Sequence, residues 1–125
     1  MNHQNLKTGL DGEEQARQYL TSIGYRILHS NWRWRHYELD IIAENDSELI
    51  VVEVKTRSAA FLMSPGQAVN RSKIDRIVAA ADVYVRHFNV EKAVRFDIIT
   101  VVHKQKSVEI EHIENAFYPP LTWKR

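Results

Sequence analysis

Asp40, Glu53 and Lys55 are the residues of this chain whose types and spacing would do chemistry. They sit in two runs rich in β-branched residues, Glu38-Leu39-Asp40-Ile41-Ile42 and Leu49-Ile50-Val51-Val52-Glu53-Val54-Lys55, separated by Asn45-Asp46-Ser47-Glu48. Apolar runs bounded by turn formers read as the two strands of a hairpin. With residues 45 to 48 in the turn, Glu44 faces Leu49, and counting back sets Asp40 opposite Glu53. Opposed residues of an antiparallel pair point to one side, with Cβ atoms about 5 Å apart. Lys55, two residues beyond Glu53, shares that side. Two carboxylates and an ammonium thus converge on one patch of sheet.

Like charges opposite each other destabilise a sheet. A hard divalent cation, Mg²⁺ or Mn²⁺, would relieve the repulsion, because such ions take carboxylate oxygens and keep several waters. Lys55 would then hold or deprotonate a metal-bound water. A lone Glu-x-Lys in a strand is ordinarily a solvent-facing pair, and that alternative stands beside the site reading. The opposed Asp40 favours a site. So does the strand itself: Ile50, Val52 and Val54 make one side apolar, and Leu49 and Val51 share the charged side. A strand apolar on both sides is covered on both, and charges inside it need partners.

The elements that position these residues must come from one domain of ordinary make-up, expected over residues 1–117 with a tail at 118–125. At 125 residues, 44% hydrophobic and 26% charged, the chain can bury a proper core. No apolar run approaches the roughly 20 residues of a membrane span. The N-terminus lacks the apolar stretch of a signal peptide. The expectation is a cytoplasmic protein with no membrane partner. Zero cysteines exclude disulfides and thiolate metal sites. A net charge of +1 means that nucleic-acid affinity must come from local clustering.

A first helix is expected to start near Thr8, to bury Ala16, Tyr19, Leu20 and Ile23, and to stop at Gly24. Gly12 permits close approach of another backbone. Glu13 beside it either complements the helix dipole or looks toward the sheet. Tyr25 to Ser30 alternates as a strand, with Tyr25, Ile27 and His29 on one side. Residues 31–37 then interleave Trp32, Trp34 and Tyr37 with Arg33, Arg35 and His36. Such a run suits nucleic acid, since aromatics stack on bases and arginines contact phosphates. Equally, one Trp packs into the core and the arginines are solvated. The run's position immediately before the acidic strand favours a wall of the same cleft.

Residues 58–63 form a loop with an apolar patch. Ser64-Pro65-Gly66-Gln67 is a helix-start signal, with a second cap at Ser72. The helix buries Ile74, Ile77, Val78, Ala81 and Val85. Arg71, Lys73 and Arg76 are a solvated face by default, whereas the sharper reading brings Lys73 and Gln67 to the rim of the acidic site. Val94 to His103 is a buried strand. Its Asp97 is read as a structural hydrogen-bond partner, outside the metal's ligands. Ser107 to Ile113 is an edge strand. The tail either lies free or packs against the body or a partner. The order α-β-β-β-α-β-β predicts an α/β sandwich, a mixed sheet between helices with one parallel pair.

Gly12-Glu13, Gly24-Tyr25, Asn31-Trp32-Arg33, Glu38-Leu39-Asp40-Ile41-Ile42-Ala43, Val52-Glu53-Val54-Lys55-Thr56-Arg57, Lys73 and Arg95-Phe96-Asp97 together resemble the PD-(D/E)XK restriction-endonuclease-like fold. More closely, the chain resembles the YraN-like family of small, uncharacterised bacterial proteins, related to archaeal Holliday-junction resolvases. The resemblance spans residues 8–103. It implies that Asp40 and Glu53, with the Val54 backbone carbonyl, hold Mg²⁺ or Mn²⁺. Lys55 becomes the catalytic lysine and Glu13 an outer catalytic acid. It further implies a nuclease acting on DNA, branched DNA included, with Trp32, Arg33, Arg35, Arg57, Gln67, Arg71 and Lys73 as nucleic-acid contacts. A resolvase-like role would suit a homodimer. The alternative is a non-catalytic nucleic-acid-binding or protein-interaction module on the same fold. Two positions depart from the pattern: Leu39 stands where a Pro often precedes the first acid, and Tyr37 where the closer family often has Gly.

Overall fold

The computed structural model describes residues 8–58, 70–119 and 123. Helix α1 (Thr8–Ser22) is followed by strands β1 (Arg26–Trp34), β2 (Tyr37–Glu44) and β3 (Glu48–Ser58). Helix α2 (Arg71–His87) precedes β4 (Ala93–His103) and β5 (Val108–Ile113). This is the expected order, α-β-β-β-α-β-β. The five strands lie in the sheet in sequence order. β3 and β4 are parallel, the other neighbouring pairs antiparallel. Antiparallel neighbours need only a turn, but a parallel pair needs a crossover, which α2 supplies.

The helices take opposite faces. Ala16 and Leu20 of α1 pack with Ile41, Ile50, Val52, Ile99 and Val101. Ile77, Val78, Ala81, Tyr84 and Val85 of α2 pack with Leu39, Ile42, Leu49, Val51 and Phe96. β3 therefore feeds both cores, as a strand apolar on both sides must. Tyr84 and Ala80 join the expected α2 stripe, while Ile74 is only partly buried. Phe117 stacks on Phe96 at 5.2 Å, and Trp123 packs on the same ring at 6.0 Å.

Three expectations need correction. Ile23 does not join the core: it is 43% exposed, because the helix has ended at Ser22 and Gly24 turns the chain at φ 97°. The cap of α2 is not Ser72 but Asn70, whose side chain accepts from the Lys73 N–H at 2.8 Å. The start signal at residues 64–67 lies outside the described residues. Finally, Tyr25, Ile27 and His29 do not share a side. The β1–β2 register shifts between Ile27 and His29. The extra residue, Leu28, turns His29 to the α2 face, where its Nδ1 meets the Tyr84 hydroxyl at 2.8 Å. β1 also runs on through the aromatic segment to Trp34.

Candidate active site

The β2–β3 ladder runs from Glu44 opposite Leu49 to Ile41 opposite Val52. The register is the one counted from the turn. The next pair is Asp40 with Glu53, and there the strands part. β2 keeps pairing with β1 to Tyr37, and β3 with β4 to Ser58. The Asp40 carboxylate bridges the gap instead: its Oδ2 accepts from the Val54 N–H at 2.9 Å. Alternation also skips at Asp40, since Leu39 and Ile42 belong to the α2 core and Ile41 to the α1 core. Across from it, Asn31 of β1 adopts φ 51°, a backbone that Asn tolerates better than most residues. Asp40 thus sits where both strands depart from regular pleating.

Glu53 faces α2 and is buried, 8% exposed. Lys73 Nζ lies 2.8 Å from its Oε2 and Lys55 Nζ 3.8 Å from the same oxygen. Asp40 is pushed up to about 7, first by burial and then by the negative charge of Glu53, with Glu13 adding to it. The Val54 hydrogen bond works against that rise but does not cancel it. Burial, followed by the neighbouring Lys73 charge, holds the Lys55 ammonium below its usual range. The hydrogen bond to Glu53 holds Lys73 above it.

Glu13 approaches from α1. A Cβ on Gly12 would lie 2.1 Å from Thr56 Oγ1, so helix and strand touch where no side chain fits. The Glu13 Oε1 atom is buried with no hydrogen-bond partner among the described residues, and an isolated buried carboxylate oxygen is costly. Gly12→Ala is expected to cost about 1–3 kcal/mol through overpacking. Thr56→Ala should restore most of it in the double variant. Thermal melting of the four-protein cycle measures the coupling, and additive losses would refute the contact.

A cavity of about 520 Å³ opens from the acidic pair between the β1–β2 turn and α2. His36, Tyr37 and Glu38 form one wall, Asp75, Arg76, Ile77 and Ala79 the other, and Asp40, Glu53 and Lys73 also line it. His36 and Tyr37 belong to the aromatic run expected as a wall of this cleft, while Arg76, expected on a solvated helix face, joins the opposite wall. Arg76 had a signal, lying three residues from Lys73 on the same helix side. Of the expected nucleic-acid contacts, Lys73 is at the site. Trp32 is half-buried, its ring edge-on to Tyr84 at 5.2 Å, so of the two readings of the aromatic run the packing one describes it. Trp34 is exposed, with the Arg35 guanidinium 4.4 Å from its ring centre. Arg33 is exposed, 3.8 Å from Glu38, and Arg71 exposed, 3.7 Å from Asp75. Arg57 is half-buried near the end of β3. Gln67 lies outside the described residues.

Asp97 is fully buried on the α1 face and spends its oxygens within the protein. It accepts from Arg95 Nε at 2.9 Å and Nη2 at 2.8 Å, from the Asn115 N–H at 3.1 Å, and pairs with His112 Nε2 at 2.7 Å. Among the described residues no three His, Cys, Asp or Glu side chains are arranged as a ready metal cage. No described helix is long and apolar enough to cross a membrane.

A family model described as "Uncharacterised protein family UPF0102" matches residues 12–101, which contain the whole acidic site. The chain belongs to this family. A UPF0102 protein of Parabacteroides distasonis is 61% identical over 112 residues, covering 90% of this chain and 93% of the relative. One from Bacteroides thetaiotaomicron is 50% identical over 113 residues, with the same coverage of 90% and 93%. Among solved structures, a Holliday junction resolvase of Archaeoglobus fulgidus is similar at a TM-score of 0.41 and 13% identity, over 85% of this chain and 76% of that one. In this UPF0102 chain, then, Gly12, Glu13, Asp40, Glu53, Lys55 and Lys73 all fall inside the matched span.

Proposed function

We propose that this protein is a metal-dependent nuclease that hydrolyses DNA phosphodiester bonds. One observation carries the reading: Asp40 and Glu53 meet where β2 and β3 part, with Lys55 and Lys73 on the same carboxylate. The residues fit Mg²⁺ or Mn²⁺. The donors are oxygens, and Mg²⁺ asks for only one or two carboxylates beside water and substrate phosphate, so a three-acid cage is unnecessary. The orphaned Glu13 Oε1, and Asp40 raised by burial beside Glu53, are oxygens that a divalent cation would satisfy. A bound divalent ion supplies charge neutralisation at the phosphate and a more acidic water.

The chain's own residues do the rest. Asp40 is anchored to β3 through the Val54 N–H. In a strand the N–H and C=O of one residue point to the same neighbour, so the Val54 carbonyl opens into the gap beside Asp40. Lys55, its ammonium pushed toward the neutral form by burial, orients the attacking water or takes its proton. Lys73, which lines the cavity and pairs with Glu53, would meet a phosphate there. Arg33, Arg35 and Arg71, all exposed, would contact the nucleic-acid backbone. A four-way junction offers two symmetric cuts, which a homodimer would match.

Asp40→Asn and Lys55→Ala are expected to lower cleavage at least 100-fold with the fold retained, measured on linear and branched DNA with Mg²⁺ and Mn²⁺. A wild-type protein that cuts neither substrate with either ion ends the nuclease reading. A second reading has one observation in its favour: Lys73 and Lys55 already neutralise Glu53. A non-catalytic binding module would keep salt-dependent DNA affinity when Asp40 and Glu53 are neutralised.

A further inference from the structure

We infer that the cavity beside the acidic pair receives an unpaired nucleobase, so the strand offered to Asp40 and Glu53 is single-stranded at that nucleotide. The inference rests on the nuclease reading and narrows its substrate. The cavity, about 520 Å³, is of the size that holds a small organic ligand. Its hairpin wall is aromatic. The His36 ring stacks on Tyr37, centroids 4.4 Å apart and planes at 29°. Tyr37 is half-buried and packs at its back against the α2 core. His36 in front of it is exposed. The inner ring is thus held in place, and the outer one offers a free face, the arrangement on which a base adds by stacking.

A base inside a duplex has both faces covered and its edge paired. It would bring its partner and two backbones into a space sized for one ligand. Only an unpaired or extruded base meets the His36 face. The charges agree. Glu38 lies 3.8 Å from Arg33 and Asp75 lies 3.7 Å from Arg71, so each rim carboxylate has a cation beside it. Lys73 and Arg76, three residues apart on α2, both line the cavity and face the strand's phosphates. Tyr37 stands three residues before Asp40 on β2, about 10 Å along the strand, so the stacked base lies within a nucleotide or two of the reacting phosphate.

The test is binding without cleavage, with the full chain in Ca²⁺, using a 2-aminopurine-labelled single-stranded oligonucleotide and the same strand in a duplex. The single strand should bind at least about 10-fold tighter, with the 2-aminopurine emission altered by stacking. His36→Ala and Tyr37→Leu should each lose about 10-fold in single-strand affinity together with the emission change. Tyr37→Phe should keep both, and the rise in melting temperature with Mn²⁺ should persist in all three. His36→Ala, on an exposed ring, keeps the test readable if Tyr37→Leu loosens the core. Equal binding of duplex and single strand, or unchanged stacking in His36→Ala, overturns the cavity assignment. A Mn²⁺ response without stacking also overturns it and leaves the nuclease reading standing. Stacking without a Mn²⁺ response keeps the cavity and sinks the nuclease.

Discussion

Asp97→Ala is expected to destabilise the protein by about 3–5 kcal/mol at pH 7, the cost of leaving a buried charge without its partner. The partner is Arg95, 7% exposed, whose guanidinium also reaches the Tyr25 hydroxyl at 2.7 Å and Glu48 at 3.0 Å. His112 closes the network, with Nε2 on Asp97 and Nδ1 2.9 Å from the Tyr19 hydroxyl. This network ties α1, β4 and β5 together. Burial alone would raise the Asp97 carboxyl, but the hydrogen bonds from His112, Arg95 and Asn115 outweigh it and hold it below its usual range. Its folded-state pKa is thus lower than the unfolded one. The stabilisation is present above pH 4 and disappears as pH falls through the folded value. Urea titration of wild type and Asp97→Ala at pH 7 measures the loss. A loss under 1 kcal/mol would mean that the network is solvated and that Asp97 is available for another role.

Asp40→Asn should do the opposite: stabilise the metal-free protein while abolishing its response to metal. Asp40 titrates at about 7 in the fold against 3.8 as its ordinary value, so the folded state holds this proton more tightly than the unfolded state. Below pH 4 both are protonated and burial of the group carries no ionisation penalty. Between pH 4 and 7 the unfolded chain ionises and the folded one resists, so wild-type stability falls as pH rises. Above pH 7 the penalty is constant. At 1.36 kcal/mol per unit, discounted for sharing with Glu53, it comes to about 2 kcal/mol. Asn keeps the acceptor for the Val54 N–H and loses the charge. The variant should therefore match wild type near pH 4 and exceed it by about 2 kcal/mol at pH 8 without metal.

With Mn²⁺ the order should reverse. A ligand present at 100 times its Kd stabilises the folded state by about 2.7 kcal/mol, and Asp40→Asn forfeits that. Melting curves at pH 4 and 8, with and without Mn²⁺ or a chelator, give all four quantities. An Asp40→Asn variant less stable than wild type at pH 8 in chelator would show that Asp40 is held as a structural anion and not as half of a metal-binding carboxylate pair.

The acidic hairpin was legible because everything that sets it is local. A four-residue turn and a side-chain period of two determine which residue faces which, and the count from Asn45 sets Asp40 against Glu53. Asp97 was legible as structural for a similar reason: a lone acid inside an apolar strand has to be satisfied by its neighbours. Hydrophobic period and turn residues also sufficed for the element order, and the long helix between two buried strands for the parallel pair.

Other features depended on contacts between distant segments. The bulge at Leu28 sends His29 to Tyr84, 55 positions away, and nothing in residues 25–30 announces it. Asn70 takes the cap that Ser72 could have taken, its side chain accepting from the Lys73 N–H. The splay that turns a like-charge clash into a notch exists because β2 follows β1 while β3 follows β4. The cavity is the space left between that notch and α2, its shape a sum over many packing contacts. By itself, then, the amino-acid order determined the order of the strands, the β2–β3 register and the three charges gathered there. Tertiary packing decided between readings that the sequence left open: it set Lys73 on Glu53 rather than in solvent, turned Trp32 inward, and stacked His36 on Tyr37 in the cavity wall.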